Sequence, residues 1–142
     1  MIGLVIVSHG KLGTALLDTA ALIYGSCSNS AALELLPGGR VEELTERIVA
    51  TAKSLDQGDG IIVMVDMTGG SCANAALMAT RGWDGSQLVV VTGANLSMVV
   101  QVLHRRNDMK ILELMGKILD TGRQGISRLY PPLSKEGLLG AM

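Results

Sequence analysis

The chain has 142 residues and a formal net charge of -1, with 12 Lys and Arg standing against 13 Asp and Glu. Apolar residues make up 48% and charged residues 18%, enough for a real core and too apolar for an intrinsically disordered chain. The balanced charge excludes the basic footprint that nucleic acid or an anionic membrane requires, and an aromatic content of 2% leaves almost nothing on which to stack bases.

The length fits one domain, read as an α/β unit over residues 1–130 with a tail over 131–142. The start, Met1-Ile2-Gly3-Leu4-Val5-Ile6-Val7, has no basic n-region, and Ser8-His9-Gly10 interrupts it too early for a signal peptide or a membrane span. Cys27 and Cys72 have the spacing of neither a disulfide framework nor a zinc site and read as free thiols, so a soluble cytoplasmic protein is expected.

Ile2–Val7 is a continuous apolar run, the pattern of a strand covered on both faces. Leu12–Tyr24 carries Leu16, Leu17, Ala20 and Ile23 at helical spacing, with Gly25 as a stop. Ala31–Leu36 reads as a second strand, ended by Pro37-Gly38-Gly39-Arg40. Val41–Leu55 gathers Val41, Leu44, Ile48, Ala52 and Leu55 on one helix face, and its acidic first turn complements the helix dipole. Gly60–Val65 is a third strand, Ser71–Arg81 a small Ala-rich helix before Gly82, and Gln87–Thr92 a fourth strand. Leu96–Arg105 and Met109–Thr121 follow as helices, and Gly125–Leu129 is one more short strand before Pro131-Pro132. Ser134–Met142 is left as a loose end or a docking segment. This alternation predicts an α/β fold: a parallel, doubly wound sheet with helices on both faces.

Ligands of such sheets bind outside the carboxyl ends of the strands. Those ends read Ser8-His9-Gly10, Asp66-Met67-Thr68-Gly69-Gly70-Ser71 and Thr92-Gly93-Ala94-Asn95. A neutral imidazole at His9 can attack through one ring nitrogen while a carboxylate, Asp66, holds the other. Gly10 is expected to admit a close approach. The helix start Gly69-Gly70-Ser71-Cys72 offers backbone N–H groups and a hydroxyl to a tetrahedral anion. Ser8 and Asn95 are supporting residues, and the Cys72 side chain reads as packing. Residue by residue, plainer alternatives stand beside these: a structural histidine, a capping aspartate, an ordinary strand-to-helix turn. Neither GxxxxGK[ST] nor a Gly-x-Gly-x-x-Gly after the first strand occurs, so no nucleotide cofactor is expected, and the chemistry needs no metal. Cys27 reads as structural and His104 as a solvated helix-end residue.

With these residues in view, Ile2-Gly3-Leu4-Val5-Ile6-Val7-Ser8-His9-Gly10 resembles the opening of the mannose-family enzyme IIA domains of the bacterial sugar phosphotransferase system. The run from Val65 to Ala76 is similar to the family's Asp-x-x-Gly-Gly-Ser-Pro-x-Asn-x-Ala segment, and Thr92–Met98 to its Gly-x-Asn-x-Pro-Met segment. Thr121-Gly122-Arg123 matches as well, so the similarity runs to about residue 130. Cys72 and Ser97 stand where the family carries proline, which bears on the rim that partners meet.

The resemblance implies a phosphocarrier in which His9 accepts a phosphoryl group from the histidine phosphoprotein HPr and Asp66 orients the ring. Enzyme IIB would then take the group, in indirect association with a membrane permease. It also implies the strand order 2-1-3-4 and a homodimer that exchanges the last short strand. A second reading is a regulatory module whose His9 phosphorylation state controls a protein partner without sugar transport. A receiver domain phosphorylated on Asp66 fits poorly, because the first strand does not end in paired carboxylates.

Overall fold

The computed structural model describes residues 1–131; the expected terminal segment Ser134–Met142 lies outside the described residues. In chain order the elements are β1 (Gly3–His9), α1 (Leu12–Tyr24), β2 (Ser30–Leu35), α2 (Val41–Leu55), β3 (Ile61–Val65), α3 (Gly70–Thr80), β4 (Leu88–Val91), α4 (Leu96–Arg105) and α5 (Ile111–Gln124). The strands form one parallel sheet in the order β2-β1-β3-β4.

Period-2 alternation along the strands sorts the core into two layers. Leu4, Ile6, Ile62, Met64, Val89 and Val91 face α1, α4 and α5, where Leu17, Val99, Val102, Leu114 and Ile118 meet them. Val5, Val7, Ile61, Val63 and Val65 face α2 and α3, packing on Leu44, Ile48, Ala52, Ala75 and Ala76. Covering both faces is why Leu4–Val7 of β1 and all of β3 are unbroken apolar runs, since a polar residue there without a partner would be stranded in a core; Ser8, buried at the end of β1, has hydrogen-bond partners.

β1 continues through His9 instead of stopping at Val7, because as an interior strand it pairs with β2 up to His9↔Leu35. α5 starts at Ile111 rather than Met109, since Lys110 takes an extended N-cap conformation (ψ 153). Residues 126–129 form no strand within the chain, and Ile126 and Leu129 stand exposed. The expected fifth strand therefore has no ladder partner among the described residues, and the Gly125 and Ile126 N–H groups turn back onto the Thr121 and Arg123 carbonyls at the end of α5. At the opposite end of the strands, buried Arg106 donates to Ser30 Oγ (3.1 Å) and to the carbonyls of Asn29 (3.4 Å), Ile2 and Ser28, tying the starts of β1 and β2 to the end of α4.

Candidate functional site

Strand order brings the candidate residues together. α1 leaves β1 toward β2 on one side, and β3 lies on the other, so the carboxyl ends of β1 and β3 flank the point where the winding reverses. The ladder between them runs to Val7↔Val65, and the Asp66 N–H donates to the Val7 carbonyl at 3.1 Å. Asp66 stands one residue beyond that pair and His9 two, and there the two side chains meet.

The contact is specific. Asp66 Oδ2 accepts from the His9 backbone N–H at 2.9 Å and lies 2.7 Å from Nδ1 of the same residue. Asp66 Oδ1 accepts the Met67 N–H at 2.9 Å. Burial by itself would raise the Asp66 carboxyl, yet the His9 backbone and side-chain hydrogen bonds, the His9 charge and the Met67 N–H together hold it below its ordinary value. An ionised carboxylate only accepts, so the imidazole proton sits on Nδ1. Nε2 then carries the lone pair, and no group among the described residues takes it. The His9 side chain is 49% exposed and that of Asp66 9%, so a buried acid steers a ring that a visiting molecule can reach.

The remaining predicted residues take several different places. Ser8 is fully buried; its hydroxyl accepts the Gly13 N–H at 2.9 Å and donates to the Gly10 carbonyl at 3.2 Å, shaping the turn into α1. Gly10 is required for its left-handed backbone (φ +56) and not for close approach, because a Cβ there would meet nothing within 4 Å. Ser71 joins His9 and Gly10 in the wall of an open hollow of about 490 Å³, completed by Leu35, Leu36, Pro37, Gly38 and Gly39. Gly69 and Gly70 lie outside that wall and shape the loop with φ of +85 and +80; Gly70 passes close enough that a Cβ would sit 3.8 Å from His9 Cε1. Asn95 caps α4, accepting the Met98 N–H at 3.1 Å and donating to the Gly93 and Gly122 carbonyls, so it braces the β4 end and is not among the groups that contact His9.

Cys72 is buried against the α2–α3 layer, as a packing residue should be, but its Sγ also lies 3.7 Å from His9 Nδ1. Burial, and then the neighbouring Asp66 charge, pushes its thiol up to about 11. It is thus a protonated neighbour of the ring and not an activated thiolate. His9, Asp66 and Cys72 offer ligand atoms that all lie within 4.8 Å of one another. Cys27 is half-buried against the other core layer, and His104 is an exposed residue in the last turn of α4, edge-on to Tyr24.

Two features escaped the sequence reading. The Leu35–Gly39 turn supplies most of the hollow; the signal for it was Pro37-Gly38-Gly39 after the strand that neighbours β1. Thr68 and Thr92 join hydroxyls at 2.8 Å and tie the β3 and β4 loops together, a pairing that the chain order does not announce.

Among known proteins, the EIIA-man family model, described as PTS system fructose IIA component, matches residues 3–119. The chain is 34% identical over 129 residues to the PTS system mannose-specific EIIAB component of Escherichia coli, covering 90% of this chain but 39% of that protein. It is 25% identical over 135 residues to the PTS system fructose-specific EIIA component of Bacillus subtilis, covering 95% of this chain and 91% of that one. Of solved structures, the PTS IIA protein associated with the fucose utilization operon of Streptococcus pneumoniae superposes with a TM-score of 0.80 at 26% identity, covering 94% and 96% of the two chains. Family match, curated relatives and fold agree with the parallel 2-1-3-4 sheet: the chain belongs to the mannose-family enzyme IIA components of the sugar phosphotransferase system.

Proposed function

We propose that this chain is a phosphocarrier: Nε2 of His9 accepts a phosphoryl group from phospho-HPr and passes it to an enzyme IIB component for carbohydrate uptake. The supporting observation is the 2.7 Å contact between Asp66 Oδ2 and Nδ1, which leaves the lone pair on the exposed nitrogen. In the transfer, the P–N bond to the donor histidine breaks as the P–Nε2 bond forms. The attacking ring gains positive charge, and the Nδ1–H bonded to Asp66 disperses it. Such a reaction asks for positioning and charge stabilisation more than for covalent help. The Ser71 hydroxyl and the backbone N–H groups where Gly69, Gly70 and Cys72 begin α3 receive the phosphoryl oxygens; no side chain caps that helix start.

Leu12, Leu36 and Met67 are 48%, 58% and 54% exposed on the segments that surround His9, apolar surface suited to a protein donor and acceptor. Residues 1–130 act as the carrier unit in the cytoplasm, and the enzyme IIB acceptor links it to a membrane permease. No helix among the described residues is long and apolar enough to cross a membrane. Two copies associate, each lending residues 125–129 to the edge of the other's sheet.

The test is labelling with phosphoenolpyruvate, enzyme I and HPr, with the phosphate located by mass spectrometry. One phosphoryl group on His9 is expected and none on a His9→Ala variant; full labelling of the variant overturns the assignment. Transfer onward to an enzyme IIB separates the relay from a purely regulatory module.

A further inference from the structure

We infer that His9, Asp66 and Cys72 form a binding site for a zinc-like divalent ion, and that its occupation competes with phosphorylation of His9. The donor set is one imidazole nitrogen, one carboxylate oxygen and one thiol sulfur, with every pair of ligand atoms within 4.8 Å. A tetrahedral zinc ion, bound at about 2.0–2.1 Å to nitrogen and 2.3 Å to sulfur, holds these two atoms roughly 3.6 Å apart. Cys72 Sγ and His9 Nδ1 stand 3.7 Å apart. The pair is therefore spaced for the ion without backbone movement.

Nitrogen and oxygen are closer than the ion needs, 2.7 Å against roughly 3.4 Å. A hydrogen-bonded proton now occupies that gap, and metal replaces it. Once that proton is gone the adjustment falls on the half-exposed His9 ring, turning away from Asp66 at nearly constant distance from Cys72, while the acid keeps its bond to the Met67 N–H. Thiol and imidazole favour a zinc-like ion over magnesium or calcium, which prefer all-oxygen shells. Three protein ligands leave a fourth position for water.

The proton balance explains the competition. On binding, the Cys72 thiol releases its proton to solvent and the sulfur–metal bond forms. The Nδ1 proton of His9 moves to Nε2, the ring staying neutral, while Nδ1 gives its lone pair to the ion. The nitrogen that attacks phosphorus is then protonated. One ring cannot hold metal on Nδ1 and keep a nucleophilic Nε2. This competition rests on the phosphocarrier reading; the metal site does not.

The experiment is a titration of the purified, metal-free protein with Co²⁺ as a spectroscopic stand-in, followed by displacement with Zn²⁺. A thiolate-to-cobalt charge-transfer band with tetrahedral d–d bands is expected, bleached by Zn²⁺ and untouched by Mg²⁺ or Ca²⁺. The Cys27→Ala variant should keep the charge-transfer band. Cys72→Ala and His9→Ala should lose it, the latter changing an exposed ring and so sparing the fold. No band in the wild type, or a band that survives Cys72→Ala, overturns the site. With labelling by phospho-HPr as the second readout, saturating Zn²⁺ should slow wild-type transfer by about tenfold or more, as mass action requires when nine tenths of the sites are filled. In Cys72→Ala, zinc should leave the variant's own rate unaltered. A cobalt band without slowing overturns the competition, whereas failure of His9 to label in metal-free buffer overturns the carrier reading and leaves the spectrum to decide the site.

Discussion

A carboxylate on Nδ1 decides which nitrogen of His9 is free, so in the proposed transfer Asp66 acts on a reaction it never touches. Asparagine at that position keeps the shape but loses the charge, and whichever way its amide turns the NH2 faces a backbone N–H, that of His9 or that of Met67, so the hold on Nδ1–H and the dispersal of ring charge in the proposed transfer both weaken. Asp66→Asn is therefore expected to slow labelling by phospho-HPr by at least on the order of a hundredfold, with the far-ultraviolet circular dichroism unchanged; an unaltered rate removes Asp66 from the mechanism. At this scale the sequence was legible where a residue type is rare and its chemistry narrow, as with His9 and Asp66 at adjacent strand ends. It misled where one residue type serves several ends. Gly10 looked like clearance and is a backbone requirement, and the nearness of Cys72 to the imidazole depends on a distance across 63 residues of chain.

Helices and strands carry these residues to their places by local rules. α1 ends where expected because Gly25 adopts the left-handed conformation (φ 104) and returns its N–H to the Ala21 carbonyl. α4 begins at Asn95 because its side chain takes an N–H that the helix cannot satisfy, while its amide reaches across to α5 at Gly122. Replacing it with alanine strands that donor, so Asn95→Ala should destabilise the fold by about 1 kcal/mol, read as a lower denaturation midpoint with an unchanged slope. No change in midpoint would show that water caps the helix equally well. Element type was legible from β1 to α5 because periodicity is a local property, and failed at Gly125–Leu129, where the expected strand has no ladder partner among the described residues. The end of β1 was not: interior strands grow as long as their neighbours pair with them, and β2 carries the ladder to His9.

The whole molecule works by topology. The chain places β2 on one side of β1 and returns through α2 to place β3 on the other, so His9 and Asp66 meet at the reversal of strand order, with the sheet lying between two helical layers. The same topology leaves β4 as an edge, with Ile126 and Leu129 exposed at 84% and 78% beyond α5. Sedimentation equilibrium at micromolar concentration should give twice the chain mass, and the double variant Ile126→Asp, Leu129→Asp the mass of one chain, because buried carboxylates would oppose the exchange; a monomeric wild type overturns it. By itself the sequence determined the kind and order of the elements from β1 to α5, the candidate residues His9 and Asp66 and the family motifs, since all of these are written in neighbouring residues. Only the tertiary structure decided which ring nitrogen is free, that a buried thiol stands against the imidazole, and that the turn after β2 closes the hollow. Those are distances between segments far apart in the chain, and the packing of two core layers on one sheet sets them.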